Sequence, residues 1–393
     1  MTTGEPPDAD DAVATTTPTE LKTRIDSGDN VFILDARSED DFEEWHIDGE
    51  NVDTVNYPYF EVLDGVPEDL HDALPDDQRI TVLCAKGGSS ELVADNLDDE
   101  GYDVDHLERG MQGWARVYET ETFDTATDAT VVQYRRPSSG CLAYLVVDDG
   151  EAAVVDPLRA FTDTYLEDVR ELDAELTYAI DTHIHADHVS GVRELAEETD
   201  ATTVLPADAA DRGVEYDVSY ETVTDGDTLA VGDTEIEAVA TPGHTTGMTA
   251  YRVGDVLFTG DGLFTESVAR PDLEDPDAAE DAARTLYESL QDRVLALPED
   301  TVVAPAHFSD AATPNDDGTY TAPLGDLVDR MDALSMDETA FVEFIVSDVP
   351  PRPANHEDII ATNLGRQSPG DEEAFELELG PNNCAASDEA LTN

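Results

Sequence analysis

The sequence predicts two domains in succession: an α/β domain on a parallel sheet, then a larger αββα domain of two sheets covered outside by helices. Three observations carry this. The chain has 393 residues, too many for one ordinary domain and enough for two of roughly 100–250 residues, each able to bury a core. Over residues 19–120 apolar strand-like runs alternate with helical periodicity. From Val131 onward strand-like runs crowd together with few helical stretches between them.

The elements follow in order. Residues 1–18 are acidic and rich in Pro and Thr, and are expected to form a disordered leader. The first domain is placed at 19–120, opening with a short amphipathic helix over Thr19–Ile25. Val31–Asp35 and Ile80–Cys84 are apolar, buried-type strands, and Ser90–Asp98 carries helical spacing. Alternation of this kind belongs to a parallel sheet. Glu119–Thr130 has Thr, Asp and Glu without apolar periodicity and is expected to be the linker. The second domain is placed at 128–393, including a C-terminal extension. Its strands are predicted at Leu142–Val147, Ala152–Asp156, Tyr178–Thr182, Thr202–Leu205, Thr234–Ala240, Thr249–Val253, Asp255–Thr259 and Thr301–Ala304, its helices at Thr162–Glu171, Val192–Glu198 and Ala278–Leu295. So many strands with so few helices fit two sheets better than one doubly wound sheet.

Charge sets the surface chemistry. Asp and Glu number 93 against 20 Lys and Arg, a net charge of −73. The acids are spread through the periodic segments instead of forming one tail, which predicts a folded surface tuned to concentrated salt, as in a halophile, where repulsion is screened. Scattered bases cannot supply the patch that phosphate neutralisation needs, so nucleic acid is not an expected partner. No apolar run approaches the roughly 18 residues of a membrane span, and no export signal is visible, so the expected location is the cytoplasm, without membrane association. Self-association into a homo-oligomer is left open. Three cysteines, Cys84, Cys141 and Cys384, give no disulfide framework.

Cys84 ends a buried strand and is followed by Ala85-Lys86-Gly87-Gly88-Ser89-Ser90 and a helix. Glycines that turn backbone N–H groups inward, a helix N-terminus and Lys86 together favour an anionic sulfur. With Leu34-Asp35-Ala36-Arg37, Asp41-Phe42 and Trp45-His46-Ile47-Asp48-Gly49 before it and Leu107-Glu108-Arg109-Gly110-Met111-Gln112-Gly113-Trp114 after it, this region resembles the rhodanese family of sulfurtransferases. The resemblance implies that Cys84 carries a persulfide sulfur. The loop has Lys86 and no arginine, a departure from the commonest pattern.

A second constellation lies at strand ends. Thr182-His183-Ile184-His185-Ala186-Asp187-His188 follows a strand and precedes a helix, and His244, Asp261 and His307 each follow a separate strand. In extended chain His183 and His185 would face one side together. Imidazole and carboxylate donors suit zinc or iron(II). This pattern is that of the metallo-β-lactamase superfamily over about residues 128–393, with Ser139-Gly140-Cys141-Leu142-Ala143-Tyr144 resembling its opening strand. Cys141 is expected to be a packed strand residue.

Two branches of that superfamily share the cluster: thioester hydrolases of the glyoxalase II type, with two zinc ions, and persulfide dioxygenases, with one iron(II) per chain. Val268-Ala269-Arg270-Pro271-Asp272-Leu273 and the tail segments 350–356 and 359–365 resemble the dioxygenases, especially those fused to rhodanese domains. That resemblance implies iron held by His183, His244 and Asp261, with His185, Asp187, His188 and His307 around them, and a role for Arg270 in the site. The implied partners are a low-molecular-weight thiol persulfide such as glutathione persulfide, O₂ and sulfite. A sulfur-handling neighbour also makes physical sense beside a persulfide oxidase, since one chain raises the effective concentration of sulfur between sites.

Overall fold

The computed structural model describes residues 13–63, 65–309, 311–347, 349 and 352–380. Residues 1–12 of the expected leader, Cys384 and part of the 350–356 segment lie outside the described residues. The chain divides into two compact units, Met1–Val117 and Tyr118–Asn393.

The first unit holds a five-stranded sheet in the order Ala14–Thr16, Val104–Leu107, Ile80–Leu83, Val31–Asp35, Val52–Asn56, every pair parallel. Its central strands are apolar at nearly every position because both faces are covered. Phe32, Leu34, Ile80 and Val82 pack under the helix Gly88–Asp99 through Val93, Ala94 and Leu97, and Ile33 and Leu83 pack on the opposite face with Leu21, Met111 and Trp114. The expected leader is corrected here. Ala14–Thr16 pairs with Val104–Leu107, and Thr17 caps the helix Pro18–Asp26 in a capping box with Glu20.

The second unit is a sandwich of two sheets. One runs Tyr220–Val223, Thr202–Pro206, Glu175–Ile180, Glu151–Val155, Cys141–Asp148, Thr130–Arg136, Glu119–Phe123; the other Thr228–Val231, Thr234–Ala240, Thr249–Val253, Val256–Gly260, Val302–Pro305, Ala322–Pro323. Alternate residues divide between two cores, as strand geometry requires. Leu142, Tyr144 and Val146 meet Ile236, Tyr251 and Phe258 between the sheets, whereas Ala143 and Leu145 lie under the helix Thr162–Glu171 through Tyr165, Leu166 and Val169. Leu257 and Val303 are covered on the far side by Ala283 and Leu286 of Ala279–Ser289 and by Phe341 and Ile345 of Glu338–Ser347. These are the four layers of an αββα fold. The expected linker needs correction: Glu119–Phe123 is an edge strand, antiparallel to Thr130–Arg136. Its Glu-Thr-Glu-Thr-Phe run buries no residue fully, so it lacks the apolar alternation of an inner strand. No helix among the described residues is long and apolar enough to cross a membrane.

Candidate active sites

In the first unit the strand Ile80–Leu83 delivers Cys84 to a tight loop. The sulfur is nearly buried, accepts the Gly87 N–H at 3.1 Å, and its thiol faces Ser90 Oγ at 3.4 Å. Ser90 Oγ is held in turn by the Gly87 carbonyl at 3.0 Å. The loop is braced from outside. Met111 N–H bonds to the Cys84 carbonyl and Gln112 N–H to that of Ala85, at 2.8 and 3.0 Å. The approach is so close that a Cβ on Gly110, whose φ is 55°, would lie 1.9 Å from the Cys84 carbonyl oxygen. The segment Leu107–Trp114 is therefore the outer wall of the cysteine loop. Arg37 grips the buried Asp35 at 2.7–3.1 Å, fixing the neighbouring strand end.

In the second unit His183, His185, Asp187 and His188 lie on the loop that follows Glu175–Ile180, His244 follows Thr234–Ala240, Asp261 follows Val256–Gly260 and His307 follows Val302–Pro305. All seven are buried. Strands of both sheets end here, so the sandwich itself brings together residues far apart in sequence. The other four histidines, His46, His71, His106 and His356, lie elsewhere and join none of the donor clusters.

The donors fall into three groups: His183, His244 and Asp261; Cys141, Asp187, His188 and His307; and Asp156, Asp181 and His185. In the first, hydrogen bonds set the tautomers. Thr182 Oγ1 gives its proton to Asp156 Oδ2 at 2.9 Å, so its contact with His183 Nδ1, also 2.9 Å, must be donated by the imidazole. The Arg270 carbonyl can only accept, so His244 Nδ1 donates to it at 2.9 Å. Both rings thereby turn an Nε2 lone pair toward Asp261 Oδ2, at 3.7 and 3.6 Å. Burial lowers the pKa of both imidazoles, keeping them neutral as metal ligands must be.

These donors fit a cation. His183 Nε2 and Asp261 Oδ2 are buried without hydrogen-bond partners, an expensive state unless something charged sits between them. Donors about 2.0–2.2 Å from one cation lie roughly 3–3.6 Å apart, close to the spacing seen. Gly260 lets the approach happen, since with φ of 53° its Cβ would meet Thr182 Oγ1 at 2.5 Å.

His185 is turned away from this triad. Its Nε2 donates to Asp156 Oδ1 at 3.1 Å and faces Asp181 Oδ1 at 3.7 Å. Burial and His188 push its pKa down, yet Asp156 and its hydrogen bonds outweigh them and raise it to about 9. Being in one loop does not put His183 and His185 in one group, because residues 181–190 are not extended strand. His307 spans the other two carboxylates, with Nδ1 against Asp261 Oδ1 and Nε2 2.8 Å from Asp187 Oδ2. His188 Nδ1 donates to the same Asp187 oxygen at 2.9 Å. Arg270 is buried, with its guanidinium on Asp272 at 2.8 and 3.0 Å and its carbonyl on His244.

Sequence reasoning did not find Asp156, Asp181, Thr182 or Cys141 as site residues. Cys141 was expected to be a packed strand residue; it is packed, but its thiol also faces Asp187 Oδ2 at 3.4 Å, opposite His307 in an antiparallel bridge. The one available signal for Asp156 was its place at a strand end beside the others.

Residues 17–117 match the family model "Rhodanese-like domain" and residues 137–307 the model "Metallo-beta-lactamase superfamily". The chain is 31% identical over 179 residues to the mitochondrial persulfide dioxygenase ETHE1 of Homo sapiens, a stretch covering 44% of this chain and 66% of that protein. It is 35% identical over 164 residues to the hydroxyacylglutathione hydrolase of Citrobacter koseri, covering 42% of this chain and 56% of that one. The crystal structure of ETHE1 from Myxococcus xanthus superposes with a TM-score of 0.52 at 29% identity, covering 60% of this chain and 98% of that one.

Proposed function

The chain joins a rhodanese-like domain to a domain of the metallo-beta-lactamase superfamily, and from that premise we propose that it oxidises a low-molecular-weight thiol persulfide to sulfite with O₂, with sulfur transfer at Cys84. The reaction balances as persulfide, O₂ and water giving thiol and sulfite. The observation that carries the reading is the triad: His183 and His244, each tied at Nδ1, aim Nε2 at one oxygen of Asp261 while His185 is engaged by Asp156 and Asp181. Two histidines and one carboxylate are the ligand set of mononuclear iron(II) sites that keep positions open for substrate and O₂. Iron(II) held there would supply the one-electron chemistry with O₂ that redox-inert zinc lacks. Similarity to persulfide dioxygenases and fusion to a sulfur-handling domain support the same substrate class.

The residues of the chain divide the remaining work. Thr182 and the Arg270 carbonyl orient the two imidazoles, and the Asp272 pair holds Arg270. His307 keeps the free oxygen of Asp261 directed inward by binding the other. Cys84 carries the sulfane sulfur in the other domain, where the Gly87 N–H stabilises negative charge on it.

A second reading, a two-zinc thioester hydrolase, is favoured by one observation: Asp187, His188, His307 and Cys141 form a second donor group next to Asp261. Two variants test the site, and the second separates the readings. Asp261→Ala should abolish metal binding and turnover under either. His185→Ala should lower persulfide oxidation by about 10–100-fold if it acts through its carboxylate partners, with the metal retained; loss of half the bound metal would make His185 a ligand of a dinuclear site.

A further inference from the structure

The loop of residues 183–190 carries four of the seven site residues yet has no regular secondary structure of its own. Something else must hold its backbone, because an irregular buried segment has to find partners for its N–H and C=O groups. Several of those partners come from the far end of the chain. Asn363 Nδ2 donates to the carbonyls of His185 and His188, at 3.0 and 2.8 Å, and its Oδ1 accepts the Ser190 N–H at 2.9 Å. Glu378 Oε1 accepts the Val189 N–H at 2.8 Å, and its Oε2 binds Arg136 at 2.7 Å. Asn363 and Glu378 are both buried.

Each is presented by a built support. The end of the helix His356–Asn363 is fixed by Arg193, which donates to the Thr362 carbonyl at 3.1 Å, by Tyr216, whose hydroxyl donates to the Asn363 carbonyl at 2.7 Å, and by the Glu215 N–H on the Leu364 carbonyl at 2.7 Å. Glu378 follows the helix Asp371–Leu377, whose Phe375 lies under the Arg136 guanidinium at 5.1 Å from the ring centroid.

We propose that the C-terminal segment 352–380, which lies beyond the superfamily match ending at residue 307, is a working part of the metal centre, with Asn363 and Glu378 as positioning residues for the loop that carries His183, His185, Asp187 and His188. The proposal rests on the reading of these side chains as a metal centre, and not on which metal they take. Asn363 is matched to its place: its carboxamide, a group shared only with the longer Gln, offers two N–H donors and an acceptor on one planar group, which is what two carbonyls and one amide require. An aspartate would set a carboxylate against the His185 and His188 carbonyls.

The test uses the full-length, metal-loaded protein and follows release of zinc or iron into excess chelator, at a temperature where the metal-free variants keep native circular dichroism. Asn363→Ala, Asn363→Asp and Glu378→Gln should release metal about 10–100-fold faster than the parent. Asp371→Ala, in the same segment but exposed and paired only at its surface with Arg159, should release it at the parent rate. Parent-like release from the folded Asn363 and Glu378 variants would overturn the proposal. A parent chain that takes up no metal would overturn the site reading itself, and this proposal with it. If the variants do not fold, amide exchange on the unaltered chain decides. Coupling is reciprocal, so metal loading must slow exchange in residues 359–378 as well as at Val189 and Ser190; protection confined to 183–190 would refute the role.

Discussion

Thr182→Val tests the tautomer relay behind the triad. The hydroxyl is fully buried, donates to Asp156 and accepts from His183, both at 2.9 Å. Valine keeps the shape and removes both bonds. Losing a hydrogen bond to a carboxylate costs about 1.5–3 kcal/mol, and leaving the His183 N–H unmatched costs about 1–3 kcal/mol more. The Thr182 N–H still serves Asp156 Oδ1 at 2.7 Å, which limits the first loss. His183 can escape the second by moving its proton to Nε2, but then it has no lone pair to offer. The relay thus predicts a stability loss of about 2–4 kcal/mol in the metal-free protein, together with metal affinity weakened about 10–100-fold. Urea unfolding reads the first and chelator competition the second. Thr182→Ser, which restores the hydroxyl, should recover the affinity. A Thr182→Val protein that loses stability but binds metal within about twofold of the parent, a difference of about 0.4 kcal/mol, would show that the Thr182 hydroxyl does not set the His183 tautomer.

Gly110→Ala drives a methyl group into the Cys84 carbonyl, and displacing the sulfur by about 1 Å should slow sulfur transfer to cyanide about 10²-fold while metal content is unchanged; a parent rate would show that the Leu107–Trp114 wall does not position the cysteine. The net charge of −73 predicts a thermal midpoint that climbs between about 0.1 and 3 M KCl, as the Debye length falls from about 10 Å to below about 3 Å; a flat midpoint would remove the charge argument.

The architecture was legible where local pattern and burial agree. Val31–Asp35, Thr234–Ala240 and Thr249–Val253 stand at the predicted bounds, because runs buried on one or both faces write their period into the sequence. Glu119–Phe123 and Ala14–Thr16 carry no such period, because edge strands owe their place to backbone pairing and need no apolar pattern. The same split divides the site. His183 and His244 announce themselves as two of only nine histidines in the chain, and Asp261 enters through the metallo-β-lactamase pattern that they share. Asp156 looks like any strand-terminal aspartate, and Asn363 and Glu378 reach the loop from well over a hundred residues away, a separation at which no periodicity carries information. The three-way sorting of the histidines was also out of reach, since it depends on how residues 181–190 turn.

The metal centre should be one iron-type site that acts on a persulfide. The direct measurement is metal analysis of anaerobically purified chain combined with oxygen-electrode rates, using glutathione persulfide and a glutathione thioester in parallel. One iron per chain is expected, with O₂ consumed only when the persulfide is present and sulfite as product. Two zinc ions per chain, rapid thioester hydrolysis and no O₂ uptake would contradict it.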